Sequence, residues 1–363
     1  MLKASYHLPA LPPPVDLETV PVLKALARAK GALGELKGRA ATIPNQVILI
    51  DTLALQEAKA SSEIENIVTT QDEVYQAELF PESAQSASAK EVARYRDALK
   101  LGFDGLRRMD GVISNNTLIE MFRLLKGRSE GFRQTPGTTI RNQQSGDVVY
   151  VPPPEGAAVL SLMRDLEIFI NEDERCALDP LVKMALIHHQ FESIHPFSDG
   201  NGRIGRILNV LYLTRCGLLE APILYLSRHI TRTKPDYYRL LQSVRDQDAW
   251  EDWVLYNLEA VAETSILTLE LVEGIRSQMA ALKRRLRDEL PHLYSRDLLN
   301  TLFRHPYTRI EFVVRDLGIT RQTAAKYLNL LAEHGFVQKH KTGRNNYFIN
   351  QSLLALFLKV SDG

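Results

Sequence analysis

The sequence predicts a mainly α-helical protein with a small β-hairpin near its middle and a small separate unit at its C-terminus. Three observations carry this. Apolar residues recur at helical spacing through most of the chain. One stretch, 131–155, breaks that rhythm with short β-rich runs around a turn. After Pro291 the pattern changes again. At 363 residues, two or three domains are expected. They are a helical segment over 1–90, a core with its following helices over 91–290, and a terminal unit over 291–363.

Residues 8–15 are proline-rich and read as an extended arm. Helical periodicity covers 20–36 and 46–67. A polar, alanine-rich helix and a loop around Phe80-Pro81 fill 71–90, and periodicity resumes over 91–106 and 115–125. Thr138, Thr139 and Ile140, then Val148, Val149, Tyr150 and Val151, flank Ser145-Gly146-Asp147 and predict a hairpin. Pro152-Pro153-Pro154 ends it, because proline cannot donate to a ladder. Further helices are expected over 157–171, 180–194, 203–216, 235–247 and 250–290, the last broken by Pro291.

Composition narrows the function classes. Lys+Arg and Asp+Glu are equal at 44 each, so net charge gives no global reason to expect nucleic acid, and any such site must be local. Cys176 and Cys216 make no disulfide framework and have no metal-ligand spacing, which fits a reducing compartment. No apolar run is long enough to span a bilayer, so no membrane association is expected. The start of the chain lacks the basic and apolar regions of a signal peptide, and the expected location is the cytoplasm.

Chemistry concentrates in His195-Pro196-Phe197-Ser198-Asp199-Gly200-Asn201-Gly202-Arg203-Ile204-Gly205-Arg206. An apolar-periodic helix ends near His195, turn residues follow, and a new helix begins near Arg203. Glycines let the backbone approach an anion, and amides at the start of the next helix form a nest for it. Arg203 and Arg206, three apart, share a helical face and suit phosphate oxygens. Asp199 is a hard oxygen ligand suited to magnesium carried by a nucleotide. His195 can take a proton near neutral pH. Three competing readings use the same residues. Gly200 to Gly205 also spells G-x-G-x-x-G, with Glu220 at a distance suited to a ribose, but a dinucleotide fingerprint needs a preceding strand. His188, Glu192 and His195 have helical spacing for zinc, or His188 and His189 simply pack at a helix face. A bland helix corner with solvated arginines needs neither the histidine nor both arginines.

At these residues the chain resembles the Fic family, whose signature H-x-F-x-[DE]-G-N-G-R-x-x-R is matched at every position from His195 to Arg206. The resemblance extends to the N-terminal helical segment, the hairpin and the C-terminal unit. It implies a Fic-type helical core and a protein adenylyltransferase that moves AMP from ATP to a Tyr, Thr or Ser hydroxyl of a target protein, releasing pyrophosphate. His195 would be the general base and Asp199 the magnesium ligand. Gly200, Asn201 and Gly202 would line the phosphate loop, with Ile204 and Gly205 within the same nucleotide-binding run. Arg203 would contact the phosphates and Arg206 the γ-phosphate. Asn209 and Tyr238 would be nucleoside contacts, and Phe197 a core anchor. The hairpin would dock the target by strand addition; Arg141 within it reads as an exposed edge-strand charge rather than a specific contact. Removal of AMP, or use of another nucleotide, remains open within the enzyme class.

Ser61-Ser62-Glu63-Ile64-Glu65-Asn66 matches a second family pattern, [ST]-x-x-x-E-[GN], at Ser61, Glu65 and Asn66. The resemblance implies an inhibitory motif whose glutamate pairs with Arg206. A carboxylate on that guanidinium competes with the γ-phosphate and repels it. The competing reading is a capping box, Ser62-x-x-Glu65, at a helix start.

In the terminal unit, a helix over 295–304, a second opened by a Thr308-x-x-Glu311 capping box and closed at Gly318, and a third capped by Thr320 and closed at Gly335 precede a basic hairpin. This resembles a winged helix. Arg321, Gln322 and Lys326 would face outward from its third helix, with Lys339, Lys341 and Arg344 on the wing, a placement that suits DNA. Protein contacts or a homodimer are the alternative use. The run Lys283-Arg284-Arg285-Leu286-Arg287 reads as a solvated helix face. Two function classes therefore stand: an autoinhibited adenylyltransferase, open to self-modification, and a DNA-binding regulator that only senses ATP. His195 separates them, since a sensor needs no base beside the phosphates.

Overall fold

Helix dominates because short polar residues stand ready to cap the helix starts that the apolar pattern marks. The computed structural model describes residues 8–79, 86–135, 137–141, 146–154, 156–342 and 345–362. Helix α1 (Val20–Ala40) is capped by the Thr19 side chain, α2 (Gln46–Ile64) by Asn45, and α4 (Ala87–Arg108) by Ser86, after the short α3 (Gln71–Leu79). Ser114 caps α5 (Asn115–Lys126), which ends at left-handed Gly127. The hairpin strands β1 (Ile140–Arg141) and β2 (Val148–Tyr150) pair antiparallel. Helix α6 (Ala157–Asn171) and a 3₁₀ turn, Asp173–Arg175, lead to α7 (Pro180–Ile194), whose cap is Asp179. Then come α8 (Asn201–Arg215), α9 (Ser227–Arg232), α10 (Lys234–Gln247) and α11 (Trp250–Glu289), a helix of 40 residues.

The core is built around α7 and α8. Every residue of α7 from Leu181 to Ile194 is buried, as is nearly all of α8, and a helix enclosed on all sides carries no amphipathic stripe. Helices α2, α4 and α5 pack on α8, and α6 and α11 on α7. The Trp253 indole donates to Ala185 O at 2.8 Å, tying α11 to α7. His189 meets the edge of Trp250 at 4.7 Å, and His188 lies nearly parallel to Trp253 at 5.8 Å. Both histidines are therefore packed core residues.

The terminal unit holds α12 (Arg296–Arg304), β3 (Tyr307–Thr308), α13 (Ile310–Leu317), α14 (Arg321–Glu333), β4 (Gln338–Thr342), β5 (Asn345–Ile349) and α15 (Gln351–Asp362). Its antiparallel sheet has the order β3-β5-β4. The unit docks on the N-terminal helices. Arg304 pairs with Asp51 of α2, and Tyr307 stacks on Tyr75 of α3 at 4.9 Å while donating to Asp72 Oδ1 at 2.7 Å. Helix α15 returns to α11, where a Cβ at Gly274 would stand 2.6 Å from Leu356 Cδ1.

The elements depart from the sequence expectations in a few places. Helix α2 stops at Ile64 rather than 67 because Asn66 turns left-handed at φ 60°. Helix α4 begins four residues early, at Ala87, because Ser86 caps it; α8 begins at Asn201, two before Arg203. The Thr308 capping box does not form. Thr308 pairs with Phe348 in the sheet and its hydroxyl donates to His305 O at 2.7 Å, so α13 starts after Arg309. Helices α9 and α15 had no sequence expectation. Phe80-Pro81, Ser145 and Arg344 lie outside the described residues.

Candidate active site

Helix α7 terminates at His195, which takes the left-handed conformation at φ 51°, unusual for a residue with a Cβ. Arg133 supports that turn. Its Nε donates to His195 O at 2.8 Å and its Nη2 to Ile194 O at 3.2 Å and to Pro153 O, while its backbone N–H donates to Pro196 O at 2.8 Å. Phe197 is fully buried and stacks on Phe122 at 4.3 Å, the anchor expected of it. Asn201 closes the loop on itself: its Oδ1 accepts from Phe197 N at 2.8 Å and its Nδ2 donates to Phe197 O at 2.9 Å. The Asn201 side chain is thus a brace, and only its backbone remains for a ligand.

Gly200, at φ 75°, starts α8 with no side-chain cap, which leaves the first amides of the helix without a partner from a capping side chain. Arg203 and Arg206 flank this nest and are buried, with side chains 2% and 1% exposed. That excludes a corner with solvated arginines. Arg203 Nη1 meets Glu91 Oε1 at 2.6 Å, and its Nε is buried with no hydrogen-bond partner among the described residues. Asp199 is exposed; its Oδ1 accepts from Gly200 N at 2.6 Å and its Oδ2 pairs with Lys126 at 2.7 Å. Ile204 is buried in the core, and a Cβ on Gly205 would sit 2.5 Å from Glu192 Oε1 and 3.1 Å from Phe191 Cδ1. Gly205 thus faces α7, and Ile204 lies in the core. Asn209 is buried with both amide atoms unpartnered among the described residues, whereas Tyr238 is 44% exposed and edge-on to Tyr237 at 5.1 Å.

The upstream motif reaches this site. At the end of α2, Ile67 N–H donates to Ser62 O at 3.0 Å and Asn66 N–H to Glu63 O at 2.9 Å, the paired bonds of a Schellman turn around left-handed Asn66. A helix end, not a start, occupies the motif, so the capping-box reading fails. The turn aims Glu65 at Arg206, whose Nη2 meets Glu65 Oε1 at 2.7 Å. Arg206 Nε also donates to Ser61 Oγ at 2.7 Å and Nη2 to Ser61 O at 2.9 Å. Asn66 accepts from Lys234 Nζ at 3.0 Å. A Cβ at Gly202 would stand 2.3 Å from Glu65 Oε1 and 2.9 Å from Arg206 Nη1, so this contact exists only because residue 202 has no side chain.

Burial sets the protonation states. It depresses His195 to about 4, helped by the Arg245 and Arg133 cations and opposed by the Glu192 carbonyl, so the imidazole is neutral at pH 7. Burial holds His188 at about 3 beside Arg206, and its Nε2 shares a 2.9 Å hydrogen bond with Tyr237 OH. Glu192 is pushed up to about 7 by burial, against the pull of Arg206. Among the described residues no three His, Cys, Asp or Glu side chains group as a metal site, and Glu192 packs against Gly205. The zinc reading of His188, Glu192 and His195 therefore has no geometry behind it. Helix α7, not a strand, precedes Gly200, which removes the dinucleotide reading.

Sequence reasoning missed Arg133, Glu91 and Lys126. Each is a single charged residue contacting the loop from 62 or more positions away, and no local motif marks it.

The Fic/DOC family model matches residues 113–213, the Fic/DOC N-terminal model 23–104, and the C-terminal domain of SoFic-like protein adenylyltransferase 278–353. Protein adenylyltransferase fic-1 of Caenorhabditis briggsae is 31% identical over 132 residues, covering 36% of this chain and 24% of that protein. A probable protein adenylyltransferase of Aquifex aeolicus is 28% identical over 171 residues, 47% of this chain and 51% of its own. The chain thus spans about a quarter of the first relative and about half of the second. A solved Fic family protein from Desulfovibrio desulfuricans G20 superposes with a TM-score of 0.57 at 22% identity, over 93% of this chain and 98% of that one. Fic-1 from Caenorhabditis elegans does so with a TM-score of 0.54 at 20% identity, over 71% and 74%. At such identities these structures speak to the fold. With three Fic-type segments matched in chain order on a shared helical fold, the chain belongs to the Fic/DOC family.

Proposed function

We propose that the protein is a protein adenylyltransferase held at rest by Glu65. The observation that carries this is the Glu65–Arg206 pair, closed beside a neutral histidine and an uncapped helix start. ATP lies with its phosphates on the amides of Gly200, Asn201 and Gly202, between Arg203 and Arg206. The target hydroxyl attacks the α-phosphorus, the α–β phosphoanhydride bond breaks, pyrophosphate leaves, and the hydroxyl proton passes to His195. Alignment and charge stabilisation carry most of such a transfer, and a positioned base adds roughly 10²–10⁴-fold. Glu65 occupies the guanidinium that the γ-phosphate needs. Ser61 contributes two acceptors that keep Arg206 in place when Glu65 withdraws.

Asp199 suits magnesium that arrives with the nucleotide: it is an exposed carboxylate paired with Lys126, in no metal-ligand group among the described residues, fit for one ligand position rather than a full cage. There the ion would neutralise charge on the α- and β-phosphates. The stem of the hairpin supports target docking nearby, since the Tyr150 hydroxyl donates to Ser193 O at 2.8 Å, two residues before His195. We read the terminal unit as a winged helix. Exposed Arg321, Gln322 and Lys326 on α14 favour a secondary DNA contact, although Arg321 is paired with Glu311. Dimerisation, self-modification and a cytoplasmic location belong to the same reading.

The test is labelling from radiolabelled ATP. Glu65→Gly is expected to raise AMP transfer at least tenfold by freeing Arg206, and Glu65→Gly combined with His195→Ala to abolish it. Equal labelling with and without His195 would favour a nucleotide sensor instead.

A further inference from the structure

Four charges alternate in sign around the outside of the loop. Arg203 Nη1 meets Glu91 Oε1 at 2.6 Å, Lys126 Nζ meets the same oxygen at 3.2 Å, and Lys126 Nζ meets Asp199 Oδ2 at 2.7 Å. Lys126 is the last residue of α5, and its side chain is only 14% exposed. Its Cδ would stand 3.4 Å from a Cβ at Gly200, so the aliphatic stem runs directly beneath the glycine turn. The other Asp199 oxygen is held by Gly200 N–H. The ammonium thus pairs with the Asp199 oxygen that Gly200 does not hold, while the carboxylate stays open to solvent.

We propose that Lys126 is a positioning residue that occupies Asp199 in the nucleotide-free protein and competes with magnesium for it, with Glu91 drawing Lys126 the other way. This rests on the nucleotide reading above. A cation at hydrogen-bond distance from a ligand oxygen both blocks it and repels an incoming ion. Glu91 is shared between Arg203 and Lys126, so it weakens the hold of Lys126 on Asp199. The two residues consequently have opposite effects: loss of Lys126 eases magnesium entry, and loss of the Glu91 charge tightens Lys126 onto Asp199 and hinders entry. A plain structural staple would make both losses act in the same direction.

The experiment measures binding of a non-hydrolysable ATP analogue by calorimetry across a magnesium titration, in a Glu65→Gly background. Lys126→Met is expected to lower the magnesium midpoint about tenfold, Glu91→Gln to raise it several-fold, and Lys126→Arg, which keeps the cation, to leave it near the parent value. An unchanged midpoint in Lys126→Met, or a shift of the same sign in both Lys126→Met and Glu91→Gln, would overturn the assignment. Circular dichroism shows whether each variant is folded, and Lys126→Gln replaces Lys126→Met if the latter is not. Failure of the Glu65→Gly parent to bind the analogue at any magnesium concentration would remove the nucleotide reading and this inference with it; binding with an unmoved midpoint removes this inference alone.

Discussion

Arg133 takes a position that no local pattern marks. One guanidinium holds the carbonyls of Pro153, Ile194 and His195, joining the hairpin stem to the turn that carries His195. A left-handed histidine persists only where its surroundings over-determine it. Arg133→Gln removes most of that support and leaves the buried Ile194 carbonyl unsatisfied, at a cost of about 1–3 kcal/mol, with the partly buried Pro153 and His195 carbonyls turned over to water. In the Glu65→Gly background it is expected to lower kcat by one to two orders of magnitude with a smaller change in KM for ATP, because the base moves while the anion nest on α8 stays. A change confined to KM would contradict this. The contrast with His195 explains what the sequence reveals at this scale. His195, Asp199, Gly200, Gly202, Arg203 and Arg206 are legible because the loop geometry demands them as neighbours in the chain. Arg133, Glu91 and Lys126 reach the same loop from other elements, and their single-letter surroundings are those of any polar helix or turn. Ile204 and Gly205 sit inside the motif yet face the core, since a helix presents successive residues about 100° apart.

Helix α2 works as a strut fixed at both ends. Near its start, Asp51 pairs with Lys100 of α4 and Arg304 of α12, and these cations hold its carboxyl below the usual range against the effect of burial. In its middle Glu57, buried and raised by burial, accepts from Ser227 N at 2.9 Å and Tyr95 OH at 3.1 Å. Ser61 and Glu65 follow on the same face at a spacing of four, toward Arg206. Asp51→Ala leaves Lys100 without its anion and Arg304 with only Asp316 at 4.0 Å, and loosens α12 from α2. The expected loss of stability is about 2–3 kcal/mol by urea unfolding at pH 7, discounted because both cations are partly exposed. A loss below about 0.5 kcal/mol would mean that α2 is not anchored there. Most helices were legible from period and caps. The exceptions have physical causes: six-residue α9 is too short to display a period, and Thr308 meets the pattern of a cap but is drawn into β3 by its pairing with Phe348.

Across the whole molecule, buried histidines set the response to acid. Burial lowers His188 to about 3, His195 and His305 to about 4, and His189 well below its ordinary value. Unfolding restores a value near 6.5, so the unfolded chain binds protons that the folded one refuses, and stability falls as pH drops through 6.5 toward 4. Glu192, raised to about 7, and Glu57, raised by burial, act in the opposite direction: their contribution is present at low pH and lost as pH rises through their folded values. Four imidazoles outnumber two carboxyls, so stability is expected to slope downward as pH drops from 7 toward 5. Urea unfolding at pH 7, 6 and 5 should show this slope, and equal stability at pH 6 and 5 would contradict it. The frame that must survive such changes is α11. At 1.5 Å per residue its 40 residues extend about 60 Å. Helix α1 lies against it, and both α12 and α15 of the terminal unit close on it. One unbroken helix thus touches elements of all three family segments. Arg304 of α12 grips α2 near its start, while the turn after its other end bears Glu65, so on the reading proposed above a load on the terminal unit would bear on the arginine that Glu65 holds.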